Sequence, residues 1–382
     1  MPFTIYLPTK VVYDQRVSEA LPAELGDRSG RRVLLISDPA VAQLGWAEHI
    51  GSSLKAAGCM TTTYTDVSSG PTVAELAAAL AIARDQNVEV VIGLGGGSVI
   101  DLAKAVALLL RDPDQPVDYL DGGRSVEQRD CLMLAVPTTA GAGSEVSRNI
   151  LLVDTDRSTI RQLSSPLAYP QLALLDPELT ISKPPLITAA TGLLAFSQAL
   201  EAYIGRQANP FSDQLAISAM QAVWTFLPRA VNDGHDVAAR QAMVLAALWA
   251  GIAADQADLG IVHALATTLT AHLRIHQGTV SALILPQALR YNLPSVPATR
   301  RQRLNRLFNL PADADGDALL ERLNLFITYL RLPTRLTELG IPLDGFDWGA
   351  LATEAMRISS VANNPQPASL EACQTLLSAL EA

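Results

Sequence analysis

The sequence predicts an α/β half followed by an all-α half, and two observations carry the prediction. Up to about residue 175, short β-rich runs alternate with stretches of helical periodicity. From about Pro185 onward, Ala- and Leu-rich stretches with a 3.6-residue period follow one another. Alternation of strand and helix implies a parallel sheet covered by helices on both faces, while successive apolar-striped helices imply a bundle. The boundary falls between residues 1–180 and 181–382.

Each element has its own reason. "RRVLLIS" (31–37), "TTTYTDV" (61–67) and "VEVVIGL" (88–94) are β-branched or apolar runs of strand length. Helices are expected near 41–57, 73–86 and 99–110 between and after them, and "PQLALLDPEL" (170–179) closes the α/β half. In the second half the helices are punctuated by "RQANPFSD" (206–213), "NDGHD" (232–236), "PSVPAT" (294–299) and "PADADGD" (311–317). Each supplies the Pro, Gly, Asn or Asp that ends one helix or caps the next.

With 382 residues, 49% apolar content and mean hydropathy +0.22, the chain can bury a large core. Its net charge of −10, without a clustered Lys/Arg stretch, argues against a nucleic-acid partner, because that affinity rests on neutralising phosphates. Small-molecule partners are expected. No basic leader opens the sequence, and the longest apolar run, near Ala242 to Ala254, reads as too short for a membrane span, so no membrane partner and a cytoplasmic location are expected. Cys59, Cys131 and Cys373 are too few and too scattered for a disulfide framework or a metal knuckle.

In "VEVVIGLGGGSVIDLAKAVA", Gly95, Gly96, Gly97 and Ser98 lie directly between an apolar strand and a helix. A turn without β-carbons lets backbone N–H groups approach a pyrophosphate, and the helix N-terminus adds partial positive charge. This is not the spaced GxGxxG fingerprint, and a bare glycine turn is also a structural device. Asp38 ends the strand "VLLISD", where a carboxylate can accept from ribose hydroxyls and repel a 2′-phosphate, favouring NAD over NADP; it is equally placed to cap the next helix. A second small-residue loop, "LAVPTTAGAGSEVS" (134–147), follows another strand, with Thr138, Thr139, Ser144 and Ser147 as hydroxyl donors and Gly141 and Gly143 permitting close approach.

These two loops resemble the nucleotide loops of the iron-dependent (group III) alcohol dehydrogenase family. The likeness continues in order through "DPELT" (176–180), "TAATG" (188–192), "EAY" (201–203), "LGIVHALA" (259–266) and "ALILPQALRYN" (282–292). It implies a dehydroquinate-synthase-like architecture: a Rossmann-like NAD(P)-binding domain, a helical domain carrying the metal and substrate site, a cleft between them, and a homodimer or larger assembly. Asp101 and Lys104, in the helix after the glycine turn, are counted with the cofactor residues on this basis.

The resemblance also exposes a departure. Family members hold a divalent metal with an Asp and a His four residues apart on one helix, a His in a "GxVHAxAH" helix, and a His just before a Gly. Those positions fall on Leu194, Gln198, His263 and Gln277, and the further His of "HAxAH" falls on Thr267. Leu cannot coordinate, and an amide oxygen is a weak donor beside carboxylate or imidazole, so no tightly bound metal is expected at the inherited site. His263, His272 and His276 lie within fourteen residues and offer a displaced site as the alternative, while Asp255 and Asp258 read as helix-surface or capping residues. Without a metal, the electrophile for a carbonyl is expected among Gln198, Gln277 and a protonated His263 or His276. The reading is an NAD(H)-dependent oxidoreductase interconverting an alcohol and an aldehyde or ketone. Its alternatives are a metal enzyme with a displaced site and a nucleotide-binding homologue without redox chemistry.

Overall fold

The computed structural model describes residues 2–26, 30–112, 114–341 and 346–381. The chain divides into two compact units, Tyr6–Ser182 and Met1–Ile5 with Lys183–Ala382.

The first unit contains β1 (Lys10–Tyr13), β2 (Arg32–Ser37), β3 (Met60–Tyr64), β4 (Val90–Gly95), β5 (Leu132–Pro137), β6 (Asn149–Asp154), β7 (Thr159–Ser164) and β8 (Leu172–Leu175). Six of these form one parallel sheet in the order β1-β8-β5-β4-β2-β3. Helices α1 (Leu21–Glu24), α2 (Pro39–Gln43), α3 (Trp46–Ala56), α4 (Val73–Asp85) and α5 (Gly97–Leu109) lie between the strands in sequence. Alternate residues of β2 enter different cores: Val33 and Leu35 pack in one, Leu34 and Ile36 in the other. Burial on both faces is why the strand reads as a continuous apolar run rather than an alternation.

Two local differences from the sequence reading have clear causes. The single helix expected near 41–57 is broken into α2 and α3, because Gly45 takes a left-handed conformation (φ 81°) that ends one helix and starts the next. Between the second small-residue loop and β8, the chain forms an antiparallel hairpin of β6 and β7, apart from the main sheet.

The second unit is helical: α6 (Pro185–Ile204), α7 (Pro210–Asn232), α8 (Val237–Ala257), α9 (Ile261–Leu273), α10 (Gln277–Asn292), α11 (Ala298–Leu307), α12 (Gly316–Tyr329), α13 (Trp348–Ala355) and α14 (Leu370–Ser378). The polar punctuation acts as caps: Asn209 and Ser212 form a capping box at α7, Asp236 caps α8 and Asp315 caps α12. Helix α6 is buried on all sides from Thr188 to Ile204, the signature of a central helix. Phe196 on α6 meets Phe308 edge-on and Phe326, and Trp224 on α7 stacks on Phe326.

Helix α8 corrects the expectation of a short apolar run. At 21 residues with mean hydropathy 1.5 in its best window, it has the length and composition to cross a membrane. Its packing is that of a core helix: it lies against α6 and α7, and its buried Arg240 donates to Thr188 Oγ1 on α6.

Candidate functional site

The parallel sheet brings the sequence-predicted nucleotide residues to one edge. The chain runs outward from β2 to β3, returns past β2 to β4, and then continues to β5 on the other side, so β2 and β4 flank a topological switch point. Ligands of open α/β sheets bind outside the carboxyl ends of strands at such a point. Ser37 at the end of β2 pairs with Leu94 in β4, and its hydroxyl donates to the Leu94 carbonyl at 2.7 Å. Asp38 therefore follows β2 beside the glycine turn that follows β4. Gly95 pairs with Pro137 at the end of β5, and Thr138 N–H donates to the Gly95 carbonyl at 2.9 Å.

Packing fixes the glycine turn. A β-carbon on Gly95 would lie 2.5 Å from Val99 Cγ2, so the strand meets the following helix too closely for any side chain. One on Gly96 would stand 3.3 Å from Thr139 Oγ1, and one on Gly97 3.1 Å from Ala142 Cβ, so both would crowd the second loop. Gly96 caps α5 without any side-chain hydrogen bond, leaving the first N–H groups of a thirteen-residue helix to other partners. The hydroxyl of Thr138, buried in the same loop, has no hydrogen-bond partner. Gly143 sits in the left-handed region (φ 69°), where glycine is favoured, and turns the loop into Ser144.

Asp101 and Lys104 do different work from that expected. Lys104 is fully buried and pairs with Asp101 at 2.9 Å, while its ammonium donates to the carbonyls of Ser144, Ser147 and Asn149. Asp101 accepts from the Ser144 hydroxyl and, at 3.1 Å, from Leu151 N–H. In this structure their donors and acceptors meet the chain, and they tie the second loop to α5. Ser98 donates to the Ser69 carbonyl at 2.7 Å, and Asp38 Oδ1 accepts from Val41 N–H at 2.9 Å as the cap of α2. Glu145, buried in the loop, has its carboxyl pushed up to about 7 by burial, with Lys104 pulling the other way.

In the helical unit, α6, α9 and α10 carry the remaining candidates. Gly278 in the first turn of α10 abuts α6 so closely that a β-carbon would lie 1.9 Å from the Ala190 carbonyl oxygen. Leu194 and Gln198 follow Ala190 one and two turns along the same face of α6. Both are buried, and Gln198 Oε1 has no hydrogen-bond partner. His263 lies in the first turn of α9, with Gln277 Nε2 at 3.4 Å from its Nδ1; Gln277 Nε2 also donates to Thr267 Oγ1 at 2.9 Å.

Glu201 was not singled out by sequence reasoning. This buried carboxylate accepts from Val262 N–H at 2.8 Å and His263 N–H at 3.1 Å, filling the donors exposed at the start of α9. Asn364 accepts from Ile261 N–H at 3.2 Å. Burial pushes the Glu201 carboxyl up, to about 8, against the downward pull of those N–H bonds. The signal was the Glu of "EAY" on a helix otherwise buried, where an acidic residue needs donors.

A protonated His263 or His276 is corrected. Burial lowers the imidazole of His263 to about 4 and lowers that of His276. His276 Nδ1 accepts from Gly278 N–H at 3.0 Å, so it caps α10 as a neutral ring. His272 pairs with Glu354 at 2.9 Å. The i, i+4 spacing of His272 and His276 does not place them on one helical face, because α9 ends at Leu273 and Arg274 turns left-handed (φ 53°). Among the described residues, no three His, Cys, Asp or Glu side chains gather as a metal cage.

The likeness to known proteins covers both units. Residues 8–177 match the iron-containing alcohol dehydrogenase family model, and residues 188–380 match that of the C-terminal domain of the Fe-containing alcohol dehydrogenases. The chain is 34% identical over 344 residues to "Probable alcohol dehydrogenase EutG" of Escherichia coli K12, covering 90% of this chain and 86% of that one. A solved 1,3-propanediol oxidoreductase superposes with a TM-score of 0.92 at 26% identity, covering 100% of both chains. Sulfoacetaldehyde reductase from Bifidobacterium kashiwanohense, solved in complex with NAD+, gives a TM-score of 0.87 at 26% identity over 100% and 99% of the two chains. From the glycine turn at the sheet edge to the helices that carry His263 and Gln277, the chain belongs to the iron-containing alcohol dehydrogenase family.

Proposed function

We propose that the chain is an NAD(H)-dependent oxidoreductase that interconverts an alcohol and an aldehyde or ketone by hydride transfer, without the divalent metal of its family. The observation that carries the cofactor is the uncapped N-terminus of α5 set in a glycine cradle at the switch point of the sheet. Backbone N–H groups of Gly97 and Ser98 would hold the pyrophosphate, the unpartnered Thr138 hydroxyl and that of Thr139 would add donors, and Asp38 would accept from a ribose hydroxyl. When bound, the nicotinamide supplies or accepts the hydride. The NAD+ complex of the sulfoacetaldehyde reductase supports the choice, and the named relatives all handle an alcohol or its carbonyl counterpart.

The donor set in the helical unit does not fit a divalent ion. Leu194 offers only hydrocarbon, Gln198 and Gln277 offer neutral amides, and the Gln277 nitrogen is turned toward Thr267 and His263. One imidazole among such groups falls short of the three or four anionic or imidazole ligands that first-row metals take. A bound ion contributes several kcal/mol to a developing alkoxide, and one well-placed neutral donor about 2.7 to 4 kcal/mol, so the chain's own donors can replace much of it. Protein stripped of metal and mixed with NADH and a panel of small aldehydes tests the reading. Turnover unchanged by chelator supports it; turnover that returns only with iron or zinc overturns the metal-free part; NADH binding without turnover points to a homologue that has lost redox chemistry. The partner is a small alcohol or carbonyl compound, and the chain works as a homodimer or larger assembly.

A further inference from the structure

The groups around His263 bear on where its proton sits. Gln277 Nε2 faces both His263 Nδ1, at 3.4 Å, and Thr267 Oγ1, at 2.9 Å. An amide nitrogen has two hydrogens and no lone pair to offer, so with the amide oriented this way both neighbours accept from it. Nδ1 of a ring that accepts is bare, and the single proton of a neutral imidazole is then on Nε2. The frame around the ring is held at both ends. Thr267 is buried one turn beyond His263 on the same face of α9, Gln277 is the first residue of α10, and the His263 backbone N–H is bound by Glu201.

We propose that Gln277, held in place by Thr267, is a positioning residue that locks His263 as the Nε2–H tautomer and so makes its Nε2 a neutral hydrogen-bond donor to the substrate's reacting oxygen. The donor role rests on the oxidoreductase reading above; the lock rests on the Gln277 amide facing the ring with its nitrogen. The same lock has a negative consequence. A metal needs a lone pair, and a protonated Nε2 has none to give, so Gln277 disables the one imidazole left among the family's ligand positions. The substitutions at 267 and 277 then act together: an amide whose two hydrogens are both used, and a hydroxyl within reach of one of them, form a unit that neither residue forms alone. The donor at Nε2 is the kind that serves a carbonyl gaining negative charge, where its hydrogen bond strengthens as the reaction proceeds.

The test reads the ring directly. In full-length protein labelled with 15N-histidine, at pH 7.5 and without nucleotide, long-range proton–nitrogen correlation should show His263 protonated at Nε2 and bare at Nδ1. The signal is assigned by its loss in His263→Asn. Gln277→Glu puts an acceptor against Nδ1 and should move the proton there, leaving Nε2 bare. It should lower kcat for aldehyde reduction about 100-fold, the range seen when one oxyanion donor is removed, with NADH affinity unchanged. Thr267→Val, the smaller change, should give a mixture of tautomers and an intermediate kcat. A ring protonated at Nδ1 in the unmutated protein, or a tautomer indifferent to Gln277→Glu and Thr267→Val, overturns the lock. A shifted tautomer with unchanged kcat overturns the donor role. If the unmutated protein shows the Nε2–H ring but no turnover, the lock holds and the oxidoreductase reading falls.

Discussion

The two units hold their candidate residues in different ways. In the sheet unit, the residues that shape the glycine cradle are enforced by packing: Gly95 against Val99, Gly96 against Thr139, Gly97 against Ala142. In the helical unit, the positions that the family resemblance assigns to metal ligands carry Leu194, Gln198 and Gln277, and Gly278 beside Gln277 meets Ala190 at a distance that excludes a side chain. A backbone cradle is shaped by close packing around its glycines, so a side chain added there disturbs its neighbours. Side chains that point at a ligand can be exchanged one by one.

The largest effect that would break this contrast concerns the metal. Leu194→Asp, Gln198→His and Gln277→His together should take the protein from no tightly held ion to about one per chain, since His263 then completes a set of four ligands. Elemental analysis after incubation with zinc and gel filtration checks this, and an ion held at that site by the unmutated protein would reverse the contrast.

Next is a pH effect confined to the sheet unit. Glu145 is buried with its carboxyl raised to about 7, while in the unfolded chain it titrates near the ordinary 4.5. Below pH 4.5 the carboxyl is neutral in both states and its contribution is fully present. Between about 4.5 and 7 the unfolded chain ionises first, so stability falls as pH rises, by on the order of 3 kcal/mol in total. Glu145→Gln should flatten that part of the profile, as read by urea unfolding of the parent and variant at pH 4.5, 6 and 7.5. Parallel profiles would mean that Lys104 and the loop keep the carboxyl ionised.

A change of about 100-fold, roughly 2.7 kcal/mol, is expected in the NADH dissociation constant for Gly96→Val, because the added side chain meets Thr139 where a pyrophosphate would lie. Fluorescence titration of a variant with unchanged circular dichroism measures it; normal affinity would place the phosphates elsewhere. The smallest effect sharpens the cofactor choice. Asp38→Gly should narrow the preference for NADH over NADPH by about tenfold, or ~1.4 kcal/mol. Glycine is a tolerable cap, costing only a few tenths of a kcal/mol relative to Asp, so α2 should survive the change. Equal affinities for the two nucleotides in the parent protein would remove the argument.

What the sequence disclosed and what it hid follow from the range of the interactions. The parallel sheet and its helices were legible because strands buried on both faces leave long apolar runs, as in β2 and β4. The two loops were legible because a glycine turn between strand and helix is local. The role of Lys104 was not: its partners, Ser144, Ser147 and Asn149, lie 40 to 45 residues away, and an Asp–Lys pair at i, i+3 looks the same on an exposed helix. Glu201 was hidden for the same reason, its donors Val262 and His263 being more than 60 residues on. The histidines near the end of α9 gave no clear signal, because their spacing crosses Arg274, where the backbone leaves the helix.

Edge strand β1 pairs along its whole length with β8, so Lys10 to Tyr13 wait for Leu172 to Leu175 before they find a hydrogen-bonded neighbour in the sheet. On a ribosome adding about 5 to 20 residues per second, that interval lasts on the order of 10 to 30 seconds. Throughout it the flank of β5 that β8 will cover stays open, since β5 also pairs with β8. The nascent sheet unit therefore emerges with an unfilled slot, and its closure is timed by synthesis of the segment just ahead of α6 rather than by the intrinsic speed of strand pairing.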